Sequence, residues 1–170
     1  MRFSPILLRC GFLILTCCLQ AQQTESNSLS IQGFQKFSEA FVLSQVQESL
    51  RNAGDFTVFA PSDEAFQQLE ERLLLLHPGN IRKLKTLISY HIVAGQFTAS
   101  RILQALCHGE GVAVFTTIQG EELIATMEGV DIVLTDCRGN KSRIVMADTT
   151  SENLVFHEID QVILPGPPIP

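Results

Sequence analysis

The chain has 170 residues, room for one domain, and carries a formal net charge of −6 from 12 Lys and Arg against 18 Asp and Glu. That balance excludes nucleic acid as a partner, because phosphate backbones demand clustered cations. The one basic cluster, Arg82-Lys83-Lys85, falls within an apolar-periodic helix and reads as its solvated face.

Arg2 opens a short basic region, and an apolar run of ten residues follows from Cys10 to Leu19, ahead of Ala21. Ten residues cannot cross a bilayer core, which needs about 20. The pattern therefore predicts a signal peptide over residues 1–21, a secreted or cell-envelope protein (periplasmic or surface-held in a bacterium), and no transmembrane span. Loss of Arg2 and Arg9 with the leader takes the charge from −6 to −8. The leader would also remove Cys10, Cys17 and Cys18, leaving Cys107 and Cys137. In an oxidising compartment this pair permits a disulfide; two free thiols are the alternative. A lipid anchor on Cys17 or Cys18 is the lesser option, since Leu15-Thr16-Cys17 fits a lipobox poorly.

Residues 22–29 are polar and predict a disordered linker. From Ser30, Ile31, Phe34, Phe37 and Phe41 recur at helical spacing, then Val46 and Leu50, predicting one broken helix or two short ones that end at Ala53-Gly54. Phe56 to Ala60 reads as a buried strand stopped by Pro61, and a helix starts at Asp63 with Ser62 as N-cap. Asp63 and Glu64 complement the helix dipole, and Phe66, Leu69 and Leu73 form the buried stripe. Asn80 begins a further helix that buries Ile81, Leu84, Leu87 and Ile88 and runs into Tyr90-His91. Thr98 or Ser100 starts a short helix through Leu106. The remainder is β-rich: Val112–Ile118, Glu122–Met127, Val130–Thr135, Arg143–Met146 and Leu154–Leu164, separated by Gly120, Gly129 and Arg138-Gly139-Asn140. Helices first and strands later predict a single α+β domain over residues 30–165, with a proline-rich tail at 166–170. The expected core is Phe34, Phe37, Phe56, Val58, Phe59, Phe66, Leu84, Leu87, Val133, Val145, Phe156 and Ile163.

Three motifs in order resemble one family. "FTVFAPSDEAF" (Phe56–Phe66) is similar to the first signature box of fasciclin-like (FAS1) domains, "ADTTSENLVFHEIDQVILP" (Ala147–Pro165) to the second, and Tyr90-His91 to the tyrosine-histidine element between them. The resemblance spans residues 31–165 and implies a wedge-shaped β-sheet or sandwich with several helices packed on it. It departs at two places. The glycine after asparagine in the second box is Leu154, and the acidic-isoleucine pair of animal matrix members becomes Asp148-Thr149, which weakens any transfer of integrin recognition. At the second box the turn is expected to move back to Ser151-Glu152-Asn153, with Asn153 left-handed and bonded to its own backbone, and with His157 mainly structural.

The resemblance implies a non-enzymatic interaction module for an extracellular or cell-surface protein or glycan, with Tyr90, His91, Asn153, His157 and Asp160 as candidate contacts. Apolar neighbours Leu87, Ile88, Ile92 and Val93 leave open the alternative that Tyr90-His91 is a buried helix end. A small apolar-ligand carrier, with its pocket between sheet and helices, is the second functional class. Catalysis lacks support: no Gly-x-Ser-x-Gly elbow surrounds Ser62. Metal lacks it too, because His77, His91, His108 and His157 show no HExxH spacing, and His157 and Asp160 would face opposite sides of a strand. No cofactor is expected. Asn140-Lys141-Ser142 is an N-glycosylation sequon at a predicted hairpin tip.

Overall fold

A computed structural model describes residues 33–51, 53–73, 76–151 and 153–166. The predicted leader with its cysteines, the linker and the tail beyond Gly166 lie outside the described residues. Helix α1 (Gln35–Leu43) and helix α2 (Val46–Leu50) come first, split at Gln45, which has φ 58°. The Ser44 hydroxyl donates to the Phe41 carbonyl and accepts from the Val46 N–H, satisfying groups freed by the break. Strand β1 (Phe56–Pro61), helix α3 (Asp63–Leu73), a 3-10 turn (Pro78–Asn80), helix α4 (Ile81–Tyr90), strand β2 (Ile92–Ala94) and helix α5 (Ala99–His108) follow. Five strands complete the chain: β3 (Val112–Thr116), β4 (Glu122–Glu128), β5 (Asp131–Thr135), β6 (Lys141–Ser151) and β7 (Leu154–Ile159).

The strands form one sheet in the order β2-β1-β7-β6-β5-β4-β3. β1 and β7 run parallel, and the other neighbours are antiparallel. A bridge between Val93 and Thr117 and a 2.8 Å bond from the Ile118 N–H to the Ile92 carbonyl join the two outer strands, so the mixed sheet curls nearly into a barrel. The domain is α+β, as the element order predicts.

β1 is buried along all six residues because it lies between β2 and β7 with packed side chains on both faces. Its side chains divide the core in two. Phe56, Val58 and Ala60 join a cluster under α1 to α4 with Phe34, Phe37 and Phe66, while Phe59 joins Tyr90, Ile102, Leu106, Leu134 and Ile163 beneath α5. Pro61 still pairs with Ile159, since pairing there uses its carbonyl side, and the Ser62 N–H donates to the Ile159 carbonyl at 2.9 Å. Ser62 Oγ accepts from Ala65 N–H at 3.3 Å, and Asp63 Oδ1 accepts from Lys36 N–H at 2.7 Å. The Ser-Asp-Glu bend is thus a cap for α3 and a dock for the start of α1.

One expected core residue is misplaced. Val145 is 57% exposed. β5 pairs with β6 only from Lys141 to Arg143, and the register of β6 on β7 shifts between Ile144 and Met146 and again between Met146 and Thr149, so Val145 is turned outward. Ile81, expected to face inward, is also exposed.

Candidate functional site

Tyr90 and His91 are both fully buried. The Tyr90 hydroxyl donates to the Glu122 carbonyl and accepts from the Cys137 N–H, each at 3.0 Å, so it pins the end of α4 to β4 and to the β5–β6 turn. Burial pushes its pKa well above the ordinary phenol range. His91 caps α4 from the other side. Its Nδ1–H donates to the Leu87 carbonyl at 2.8 Å, its ring lies 5.3 Å from Phe37, and its Nε2 is buried without a hydrogen-bond partner. Burial lowers the His91 pKa to about 4, against smaller opposing effects of the Leu87 bond and Asp136. Neither side chain offers a surface to a partner.

His157, also fully buried, ties three elements together. Its Nε2–H donates to the Phe97 carbonyl at 2.6 Å, and its Nδ1 accepts from the Asp148 N–H at 3.3 Å, which fixes the tautomer. Phe59 stacks on its ring at 5.6 Å. Asp148 stands at the bulge of β6 with φ 62°, a conformation aspartate tolerates better than most residues. Its Oδ1 accepts from Ala99 N–H at 2.7 Å, at the first turn of α5. The Phe97 N–H in turn donates to Thr57 Oγ1 at 2.8 Å.

The second box reverses between paired residues Ser151 and Leu154, with Glu152 outside the described residues. Asn153 is not in the left-handed region expected for it. Its amide reaches away from its own backbone and donates to the Gly54 carbonyl at 2.6 Å, while its carbonyl accepts from Phe56 N–H at 2.9 Å. Leu154 pairs with Phe56 and packs against the first core cluster. Asp160 is half-buried, and its Oδ1 accepts from Arg143 N–H at 2.7 Å and Ser142 Oγ at 3.2 Å. All five candidates thus hold backbone in place, and the structure does not gather them into one surface.

Cys107 and Cys137 are both free and exposed, which corrects the expected option of a disulfide. Cys107 lies on the solvent side of α5, whereas the Cys137 thiol is turned to Glu121 Oε2 at 3.3 Å and the Leu164 carbonyl at 3.4 Å. Asp136 was missed by the sequence reading. Buried, it accepts at Oδ1 from the Arg138 and Asn140 N–H groups, and at Oδ2 from the Asn140 amide and the Leu164 N–H, all within 2.8–2.9 Å. An aspartate ahead of Arg138-Gly139-Asn140 is the turn signal that would have found it. The sequon asparagine is exposed, but its amide belongs to this turn.

No group of three or more His, Cys, Asp or Glu side chains suited to a metal occurs among the described residues. A groove of about 450 Å³ lies between α3 and the stretch after β7, lined by Ala65, Gln68, Leu69, Asn140, Lys141, Gln161, Val162 and Leu164. Half of those side chains are polar, and the groove is open. The apolar surface lies elsewhere: Val145 and Met146 are 57% and 44% exposed on β6, beyond the last β5 partner. Val130, in the β4–β5 turn, is 91% exposed at the same end of the sheet, next to Asp131, whose carboxylate lies 3.9 Å from Arg143.

The sequence pattern of the fasciclin domain matches residues 32–165. The chain belongs to the fasciclin domain family. A cyanobacterial relative, protein sll1483 of Synechocystis, is 36% identical over 120 residues, which are 69% of this chain and 59% of that protein. The cell surface glycolipoprotein MPB83 of Mycobacterium bovis is 28% identical over 114 residues, 67% of this chain and 46% of that one. This fasciclin domain therefore spans about half the length of these relatives. Among solved structures, a FAS1 domain pair from the insect cell adhesion molecule fasciclin I superposes with a TM-score of 0.62 at 23% identity, covering 77% of this chain and 45% of that one. The likeness supports the fold.

Proposed function

We propose that this fasciclin domain is an extracellular, non-enzymatic adhesion module that binds a protein or glycan surface through the exposed edge of β6, from Val145 to Thr150. The observation that carries it is the combination of unpaired strand edge and exposed apolar side chains at Val145 and Met146, next to the Val130 turn. An extended partner segment can add to such an edge by main-chain hydrogen bonds, with alternate side chains giving specificity. The company of the chain agrees: MPB83 is named for the cell surface and fasciclin I for cell adhesion. Secretion, through the leader expected over residues 1–21, belongs to the same proposal. The carrier alternative is less favoured, because the groove beside α3 is open and half polar.

The test is attachment of cells or matrix fragments to a surface coated with the purified domain. Val145→Asp combined with Met146→Lys should cut attachment about tenfold, as loss of an interface centre does, without shifting the unfolding midpoint. Unchanged attachment by a normally stable double variant rejects the β6 edge. A stoichiometric lipid or metabolite in native mass spectrometry would favour the carrier.

A further inference from the structure

We propose that His157 and Asp148 form a proton-operated latch that sets the shape of the β6 edge: the neutral imidazole holds the bulge against α5, and protonation releases it. What the edge is for rests on the function proposed above, but the latch itself is read from the site's geometry.

In the neutral state every polar atom at the junction has one partner of the right kind. His157 Nε2–H donates to Phe97, His157 Nδ1 accepts from Asp148 N–H, and Asp148 Oδ1 accepts from Ala99 N–H. A proton added to Nδ1 turns the acceptor into a donor and sets it against the Asp148 N–H, two donors face to face. The Asp148 carboxylate is the nearest group able to accept the new N–H, and it can do so only by leaving Ala99 at the start of α5. Protonation therefore exchanges a backbone contact for an ion pair and frees both the bulge and the first turn of α5. The bulge gives readily, because a non-glycine residue with φ 62° stays in the left-handed region only while its surroundings hold it.

No competing charge blocks this exchange. From α5 comes Arg101, whose Nη1 is occupied by the Gln96 carbonyl at 2.7 Å. From β1 comes only the Phe59 ring. On β7 the neighbouring Glu158 is turned away, toward Gly33 and Asp63. Burial holds the His157 pKa below the ordinary imidazole value, opposed by the Phe97 bond and the Asp148 charge, so the latch is closed at neutral pH and opens on acidification.

Amide hydrogen exchange resolved by NMR tests this without any partner, comparing about pH 7.5 with about pH 5, a span that brackets ordinary imidazole titration. After correction for intrinsic rates, protection of the Asp148 and Ala99 amides should fall at least about tenfold, while the β1 amides keep theirs. The 15N shifts of the His157 ring should move over the same pH range. His157→Gln offers a donor and an acceptor that do not titrate, so its Asp148 protection should be flat with pH. If that variant fails to fold, Asp148→Asn serves instead: it removes the carboxylate that welcomes the proton, and should move opening to lower pH. Protection of Asp148 that stays constant while the His157 ring titrates overturns the latch. So does a His157 ring that remains neutral until β1 itself loses protection. Loss of the adhesion proposal would leave these exchange results unchanged, whereas an overturned latch leaves the attachment assay unaffected.

Discussion

Tyr90 and His91 are consecutive in the chain, yet their side chains enter opposite cores: the Tyr90 hydroxyl reaches Glu122 and Cys137 in the cluster beneath α5, while His91 packs on Phe37 in the cluster under α1 to α4. The α4–β2 junction is therefore fastened on both sides of the sheet. Removing one fastener has a specific cost. Tyr90→Phe keeps the ring but leaves the Glu122 carbonyl and the Cys137 N–H without their shared partner. Stability should fall by about 1–3 kcal/mol, the penalty for polar groups left unpaired in a buried site. Urea denaturation measures it. A loss near zero would mean that water replaces the hydroxyl.

Acid should weaken the fold through His91. Its pKa is about 4 when folded and 6.5 when unfolded, so the unfolded chain binds the proton more readily between those values. The contribution is fully present above the unfolded pKa and is lost as pH falls toward the folded one. The magnitude is of order 2–3 kcal/mol, from about 1.4 kcal/mol for each unit of pKa difference. His91→Leu should flatten the acid limb of stability against pH, even where it lowers stability at neutral pH. An unaltered acid limb would assign the acid loss to other groups.

Phe59 lies at the centre of β1, fully buried and stacked on His157. Phe59→Ala should cost about 3–5 kcal/mol, the range for truncating a buried aromatic side chain. Chemical denaturation checks it, and a loss below about 1 kcal/mol would contradict the packing around this strand.

The thiols should differ in reactivity. Cys107 is exposed on α5, while partial burial and Glu121 push the Cys137 pKa up, opposed by its contact with Tyr90. Native alkylation should reach Cys107 first, and Glu121→Gln should speed Cys137. Equal rates for both thiols in the unaltered protein would contradict this.

How far these sites could be read from the sequence differs between them. The strand-to-helix bend at Phe59-Ala60-Pro61-Ser62 was legible because proline, N-cap and acidic first turn are local signals. The split after Ser44 was legible from the interrupted helical spacing. Val145 was not: alternation assigns a strand two faces but cannot tell that β5 stops pairing at Arg143 and leaves the strand to run on alone. The run expected to extend to Leu164 leaves the sheet after Ile159, although Ile163 remains buried. The Asp148 latch was equally hidden, since its three bonds join residues 9, 49 and 60 positions apart. Tertiary contacts of that span leave no local pattern.

Leu154 supplies the last prediction, because it occupies the position where the family's second box carries glycine. A glycine there would be required only if the backbone had positive φ. In this chain Leu154 is absent from the left-handed residues, pairs with both Phe56 and Ser151, and lays its side chain against the first core cluster. The reversal is instead completed before it, and Asn153 anchors that turn through Gly54, which itself has φ 102°. Leu154→Gly should therefore destabilise the domain. It removes half-buried apolar surface and adds backbone freedom to the unfolded chain, for a combined loss of about 2 kcal/mol. Asn153→Ala, which removes the amide bonded to the Gly54 carbonyl, should cost about 1 kcal/mol. Thermal unfolding of the two variants separates the possibilities. A Leu154→Gly protein more stable than its parent would mean that the strand at this position is strained, and that the turn still centres where the family places its glycine.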